Sequence, residues 1–308
     1  MNNDPKKVIF IGGSSYSGST MLDMMMANSK EGFSVGEVHA LFRPFRPHHF
    51  KPECGCGNAD CDFWLRAREA GERRLYAMIF KFLPDISFIV DSSKDPWWIK
   101  TQTKYLRQNG IEVYHLLIWK EPAAFAHSMV KRKRQGWERS WKNYYRLYLS
   151  MIDDYSAVPY SELARHPDQV LQDLCAFCGL EYQPGKEKFW QKQHHTLFGN
   201  DSAKIHLHKS SSNDFDRVRE KLAESDNKSG HQSIYYDTAY KSSLTDNDRV
   251  AIESDFYFNA ITSVLKNEVV PDRIKTICYS PFQLALARIR WASKAVAGRV
   301  LGRYRQIY

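Results

Sequence analysis

Apolar positions along the chain fall into short blocks separated by polar turns, and the blocks alternate between two kinds. Runs rich in β-branched and aromatic residues at 8–11, 33–35, 86–90 and 113–119 read as buried strands, each bounded by Gly, Asn, Asp or Pro. Between them, residues 20–27, 66–82 and 99–108 place apolar side chains at helical spacing. Strand, helix and strand in alternation predict a parallel sheet covered by helices. The second half turns helical, with helices predicted over 125–151, 167–178, 245–266 and 281–305, the second of them capped by Gly179. Residues 200–232 are polar and rich in Ser, Asp and Asn, and read as a mobile loop or lid around a short helix. The pattern predicts an α/β protein of P-loop-like three-layer type, with a central parallel sheet flanked by helices and a helical C-terminal half. One domain is expected over 1–270, with a basic amphipathic helical extension over 271–308.

In parallel sheets, ligands sit beyond the carboxyl ends of the strands. Three strand tips are therefore expected to meet: residues 14–20, residues 91–94, and Lys120 onward. The first tip, Gly12-Gly13-Ser14-Ser15-Tyr16-Ser17-Gly18-Ser19-Thr20, is a strand, a tight turn and a helix start. Such a loop turns successive N–H groups and the positive end of a helix inward, which suits an anion. Gly13, Gly18 and Thr20 have the spacing of a nucleoside-triphosphate loop, but Ser19 stands where that motif requires Lys. The loop therefore suits a ligand with fewer phosphate charges at this end than a triphosphate. At the third tip, Lys120-Glu121-Pro122 opens a helix that carries Ser128, so a cation and a hydroxyl stand eight residues apart, able to clamp a second phosphate.

Taken in order, these motifs resemble those of sulfotransferases, which transfer a sulfuryl group from 3′-phosphoadenosine 5′-phosphosulfate (PAPS). Ser17-Gly18-Ser19-Thr20 resembles their 5′-phosphosulfate loop, and Lys120 with Ser128 resembles the Arg and Ser that hold the 3′-phosphate, Lys replacing the usual Arg. Asp91-Ser92-Ser93-Lys94-Asp95-Pro96 is similar to the segment that brings a lysine to the sulfuryl group in protein-tyrosine and related bacterial sulfotransferases. Val35-Gly36-Glu37 is similar to the Gly-Glu that carries their base, and His39 is the rival base. Tyr160-Ser161-Glu162-Leu163, His195, Gly199-Asn200 and the stretch from Tyr235-Tyr236-Asp237 to Leu244 match later family segments, so the likeness spans about residues 7–250. It implies catalytic roles for Glu37, Lys94 and alternatively His39. It implies PAPS binding by Ser15, Tyr16, Ser17, Gly18, Ser19, Thr20, Lys120, Ser128 and Tyr160, and chemistry that needs no metal. Two other classes stay open at this level: a nucleotide-dependent phosphotransferase, and a non-catalytic nucleic-acid or membrane-binding protein.

Composition changes the picture in three places. A net charge of +9 over 308 residues favours anionic partners without choosing among them. Arg43, Arg46, His48 and His49 hint at an acidic acceptor such as a glycan, although a tyrosine, lipid or small-molecule hydroxyl is equally compatible. The run Lys131-Arg132-Lys133-Arg134, followed by Trp137, Trp141, Tyr144 and Tyr145, reads as a solvated face whose aromatics border the acceptor, and no nucleic-acid partner is expected. Six cysteines in a chain with no secretory leader predict a reduced, cytoplasmic protein. Cys54-x-Cys56-x4-Cys61 with His48 and His49 nearby can be written as a zinc site, but the spacing is not that of a standard knuckle. Small thiols in a compact loop are the preferred reading, and no metal ligand is assigned. Finally, Leu286, Ile289, Val296, Val300, Tyr304 and Ile307 form a stripe flanked by Arg and Lys. The last helix is therefore expected either to rest on an anionic membrane or to pack its stripe on the domain.

Overall fold

The computed structural model describes residues 5–44, 46–200, 238–268 and 274–301. Five strands, β1 (Lys7–Gly12), β2 (Gly32–Gly36), β3 (Phe88–Asp91), β4 (Glu112–Trp119) and β5 (Ser156–Pro159), pair in parallel in the order β2-β3-β1-β4-β5. The helices are α1 (Ser19–Met26), α2 (His39–Phe42), α3 (Phe63–Ala70), α4 (Leu75–Phe82), α5 (Pro96–Gln108), α6 (Pro122–Val130) and α7 (Trp137–Leu149). They continue with α8 (Tyr160–Arg165), α9 (Pro167–Phe177), α10 (Tyr240–Ser243), α11 (Asp246–Ser254), α12 (Phe256–Leu265), α13 (Ile274–Ile277) and α14 (Pro281–Leu301).

Strand β1 explains the layering. Its run Val8-Ile9-Phe10-Ile11 is apolar without alternation because helices cover both faces of a parallel sheet. Val8 and Phe10 pack into one core with Trp98, Tyr144 and Tyr148, whereas Ile9 and Ile11 pack into the other with Leu22, Leu163 and Leu171. The predicted three-layer α/β architecture is thus the one observed, with helices dominating after β5. Because β3, β1 and β4 are neighbours, the three polar strand tips do end side by side.

Three predicted helices are each two. Residues 66–82 break at a turn over 71–74, so that α3 and α4 flank it. The stretch 125–151 breaks after α6, where Lys133 adopts a left-handed φ of 53°. Residues 245–266 break at Asp255, an extended N-cap whose carboxylate accepts from the N–H groups of Tyr257 and Phe258 at 2.8 and 3.1 Å. In each case the apolar period runs across the break because both halves face the same core. Strand β5 was not expected: it is four residues long, lies at the sheet edge and ends in Pro159.

Two lysines reach the carboxyl end of α1, Lys186 buried and Lys192 half-buried. Lys186 is 2% exposed and donates to Met26 O at 2.9 Å. Lys192 donates to Ala27, Ser29 and Gly32 carbonyls at 3.1, 2.5 and 2.7 Å. Burial lowers both ammonium pKa values, that of Lys192 to about 8.

Helix α14 returns to the strand tips. Trp291 donates to Asp95 Oδ2 at 3.3 Å and lies 6.2 Å from the Trp97 ring, while Leu284 packs against the core. The predicted stripe is turned the other way where its side chains are described, with Leu286 39% and Ile289 64% exposed. No described helix is long and apolar enough to cross a membrane. The polar loop predicted over 200–232, the Tyr235-Tyr236-Asp237 segment, and Arg303, Tyr304, Arg305 and Ile307 lie outside or almost wholly outside the described residues.

Candidate active site

The β1 tip folds as a cradle. Gly18 precedes α1 with a left-handed φ of 99°, and a Cβ there would stand 2.5 Å from the Tyr160 ring. Only glycine satisfies both demands. Tyr16 also has positive φ, 62°, and its ring is covered by the Arg132 guanidinium at 4.2 Å. Ser15 and Tyr16 are partly exposed at the tip, whereas Ser17, Ser19 and Thr20 are buried. The Ser17 hydroxyl is fully buried and has no hydrogen-bond partner among the described residues. An orphaned hydroxyl of this kind in an anion cradle is what a bound anion would satisfy. Thr20 Oγ1 accepts the Asn200 N–H at 3.1 Å, so its own O–H stays available to donate.

From the cradle a line of contacts leads to the β4 tip. Tyr160, against Gly18, carries the Lys120 ammonium over its ring at 4.3 Å. Lys120 Nζ lies 3.5 Å from Ser128 Oγ, as the eight-residue spacing predicts, and Trp141 Nε1 fixes the Lys120 carbonyl at 3.0 Å. Ser128 Oγ donates to Ala124 O at 3.0 Å, one turn back, which orients its lone pairs away from the helix. Gly18, Tyr160, Lys120 and Ser128 are therefore one continuous wall.

The β3 tip supplies the third side. Lys94, with a left-handed φ of 65°, forms an ion pair with Glu37 Oε1, each side chain 15% exposed. Burial by itself would raise the Glu37 pKa, but the Lys94 ammonium beside it, helped by Arg46, holds the carboxyl below its ordinary value. The turn is braced from below. Asp91 accepts from Tyr76 Oη at 2.5 Å, Trp98 Nε1 at 3.0 Å and the Ser93 N–H at 2.7 Å. Ser93 Oγ accepts the His39 N–H at 3.0 Å, which draws α2 onto the turn. His39 is buried, and burial lowers its imidazole pKa, so it is neutral at pH 7.

Sequence reasoning missed several parts of this arrangement. Tyr144 Oη accepts the Gly13 N–H at 2.6 Å and donates to the Lys94 carbonyl at 2.8 Å, joining two strand tips through one hydroxyl. Trp137, Trp141, Tyr144 and Tyr145, expected to border an acceptor, are instead buried at 6% exposure or less and form core. The alternation of charge and aromatic residues along α7 reflects amphipathic packing, with Lys131, Arg132, Lys133 and Arg134 exposed outside it. Arg43 is engaged by Glu72 at 2.8 Å and lies between the rings of Trp98 and Trp291 at 5.5 and 5.2 Å. His49 is buried against Phe198, and burial together with its neighbour His48 lowers its pKa to about 3. Arg46, His48 and Lys51 are the exposed basic residues of that loop. Nothing in the spacing of these residues distinguishes a brace from a surface contact.

The segment after His194 threads through the site. Leu197 pairs in parallel with Gly36 and antiparallel with Cys54, and its carbonyl accepts the Glu37 N–H at 2.8 Å. His195, matched to a late family histidine in the sequence, turns its Nδ1 toward Cys54 and Cys61.

No family model matches the chain, and no curated protein matches it. Among solved structures it is similar to the sulfotransferase domain from the curacin biosynthetic pathway, at 14% identity and a TM-score of 0.50, over 85% of this chain and 98% of that one. It is also similar to the sulfotransferase domain from the Synechococcus PCC 7002 olefin synthase, at 17% identity and a TM-score of 0.50, over 87% and 97% of the two chains. The fold of this protein is the sulfotransferase fold.

Proposed function

We propose that the protein is a PAPS-dependent sulfotransferase that moves a sulfuryl group to an acceptor hydroxyl. The observation that carries this reading is the Lys120 and Ser128 pair, 3.5 Å apart and joined through Tyr160 to an anion cradle that lacks the triphosphate lysine. A nucleotide with phosphates at both its 3′ and 5′ positions fits such a wall. Ser17, Ser19, Thr20 and the loop amides would hold the 5′ group, and Lys120 with Ser128 the 3′-phosphate.

When bound, PAPS supplies the sulfuryl group, and 3′,5′-ADP leaves. Glu37 is the base, its carboxylate kept ionised by Lys94. As Glu37 accepts the hydroxyl proton, it ceases to attract Lys94, and the ammonium is released to stabilise negative charge developing nearby. The positive φ of Lys94 and the Tyr144 bond to its carbonyl fix the backbone from which that side chain swings.

Calorimetric titration with 3′,5′-ADP, with ATP plus magnesium and 5′-AMP as controls at equal salt, tests the reading. We expect 3′,5′-ADP to bind in preference to both, and Lys120→Ala to weaken it by about 10- to 150-fold, the equivalent of one charged hydrogen bond of roughly 1.5–3 kcal/mol. Preference for ATP with magnesium would replace the proposal with a phosphotransferase. The acceptor is proposed as a hydroxyl compound, with Arg46, His48 and Lys51 favouring an anionic one such as a glycan.

Peripheral contact with a membrane rests on α14, where Phe282, Leu286 and Ile289 are exposed beside Arg288 and Arg290. Co-sedimentation with phosphatidylserine vesicles, weakened by Ile289→Asp and absent with neutral vesicles, is the expected result. Recovery with phosphatidylserine vesicles no greater than without vesicles would remove the membrane from the proposal.

A further inference from the structure

Three cysteines and a histidine meet beside the site without entering its chemistry. Loop 51–62 carries Cys54, Cys56 and Cys61, and the segment at 194–197 brings His195 to them from 134 residues away. The approach is fixed by backbone: Gly55 N–H donates to Thr196 O at 2.9 Å, Gln193 Nε2 to Cys56 O at 3.1 Å, and Trp64 Nε1 to His195 O at 2.7 Å. Phe33 and Phe63 hold the imidazole ring at centroid distances of 6.1 and 5.8 Å. As a result the three Sγ atoms and a ring nitrogen of His195 all lie within 4.8 Å of one another. Cys54 Sγ and Cys61 Sγ stand 3.3 and 3.6 Å from His195 Nδ1.

A tetrahedral ion with Zn–S near 2.3 Å and Zn–N near 2.0–2.1 Å sets its ligand atoms about 3.5–3.8 Å apart. The two printed separations, 3.3 and 3.6 Å, are close to that span, and the bound of 4.8 Å on the rest leaves at most about an ångström of closure for an ion to draw in. Three soft sulfurs and one imidazole select zinc over magnesium or calcium. A disulfide accounts for two of the thiols at most and leaves the third against the imidazole. Plain packing requires no convergence of all four polar atoms on one point. His48 and His49, the histidines nearest in sequence, do not take part; they lie against Phe198.

We propose that Cys54, Cys56, Cys61 and His195 bind one structural Zn²⁺. Four protein ligands fill the tetrahedron, so the ion staples rather than catalyses. On binding, the three thiols release their protons to solvent and ligate as thiolates. The staple holds the 195–200 segment, which gives the Leu197 carbonyl to the Glu37 N–H and the Asn200 N–H to Thr20 Oγ1. One ion would thereby support the base on one side and the anion cradle on the other, whatever the reaction proves to be.

The test is metal content of the tag-free full chain by plasma mass spectrometry, after dialysis against Zn²⁺ and then metal-free buffer. We expect about one zinc per chain, falling below about a tenth in Cys56→Ser and His195→Ala. His195→Cys, which restores a fourth ligand, and Cys278→Ser, outside the cluster, are expected to retain the ion. Should the depleted variants fail to fold, the wild-type protein still answers. Mercurial titration of its thiols is expected to release one zinc per chain, and Co²⁺ exchanged into the site to give the charge-transfer and d–d bands of a tetrahedral thiolate complex. Wild-type protein with less than a tenth of a zinc per chain and no such cobalt spectrum would overturn the assignment. Its failure would leave nucleotide binding by the Lys120 wall untouched, so the two proposals are separable.

Discussion

Glu37→Gln is expected to lower turnover by about 10²- to 10⁴-fold, the usual contribution of a general base, while changing 3′,5′-ADP affinity by less than about twofold. Glutamine keeps an oxygen opposite the Lys94 ammonium, so the variant removes the proton acceptor and leaves the partner hydrogen-bonded. The effect should thus fall on kcat rather than on binding of the nucleotide, which the proposal places on the Lys120 wall. Steady-state kinetics paired with calorimetry check both halves. Undiminished turnover would pass the role to His39, whose burial keeps it neutral and close by on α2. The pH dependence has a definite sign. Burial would raise the Glu37 pKa, but Lys94 outweighs it, so the carboxyl ionises below its ordinary value of 4.5. The stability it contributes is complete above the unfolded-state value and is lost as pH falls through the lower, folded one. Acid unfolding of Glu37→Gln should therefore be less steep over that range than that of the wild type.

The second large effect comes from the residue before it. A Cβ on Gly36 would lie 2.2 Å from the Leu197 carbonyl oxygen, and the backbone there has a φ of +64°. The obstacle is backbone, not a side-chain tip, so it cannot step aside. Gly36→Ala is expected to cost about 2–6 kcal/mol, strain and overpacking each contributing about 1–3 kcal/mol. Urea unfolding reads this as a lower midpoint. Gly110→Ala is the control: its φ is +72°, but nothing lies within 4 Å of the added carbon, so only the strain should appear. Equal midpoints for the two variants would mean that the 197 segment does not dock on Gly36 as described.

Much of the fold was legible because its information is local. The unbroken apolar run Val8-Ile9-Phe10-Ile11 required a sheet covered on both sides, and alternation with helices required parallel strands. Their tips then had to share one edge, which put Gly18, Lys94 and Lys120 in one neighbourhood from sequence alone. The helix breaks are hidden in the sequence because apolar periodicity continues through Lys133 and Asp255. Within the site, Lys120 and Ser128 were readable since they lie one strand-turn-helix unit apart. Tyr144 was not, because its value depends on a hydroxyl meeting residues 131 and 50 positions away. His195 stands out in its own segment, but its meeting with Cys54 and Cys61 is a property of chain crossing, and no local spacing encodes it. Gly36 is visible in the sequence as half of a Gly-Glu pair; that its missing side chain makes room for the segment at Leu197 emerges only when that segment is there.

The lysines beneath α1 bear on the cation missing from the cradle above it. An eight-residue helix is about 12 Å long. At its negative pole, Lys186 and Lys192 bond the carbonyls of Met26 and Ala27, which neutralises that pole and leaves the positive one uncompensated. The electrostatic potential at the loop is therefore raised from behind, through the low-dielectric body of the protein. A field of this kind would favour an anion in the cradle while offering no ammonium for a triphosphate to wrap. In the proposed reading, attraction and discrimination would thus come from different elements, the first from the far end of α1 and the second from Lys120 at the β4 tip.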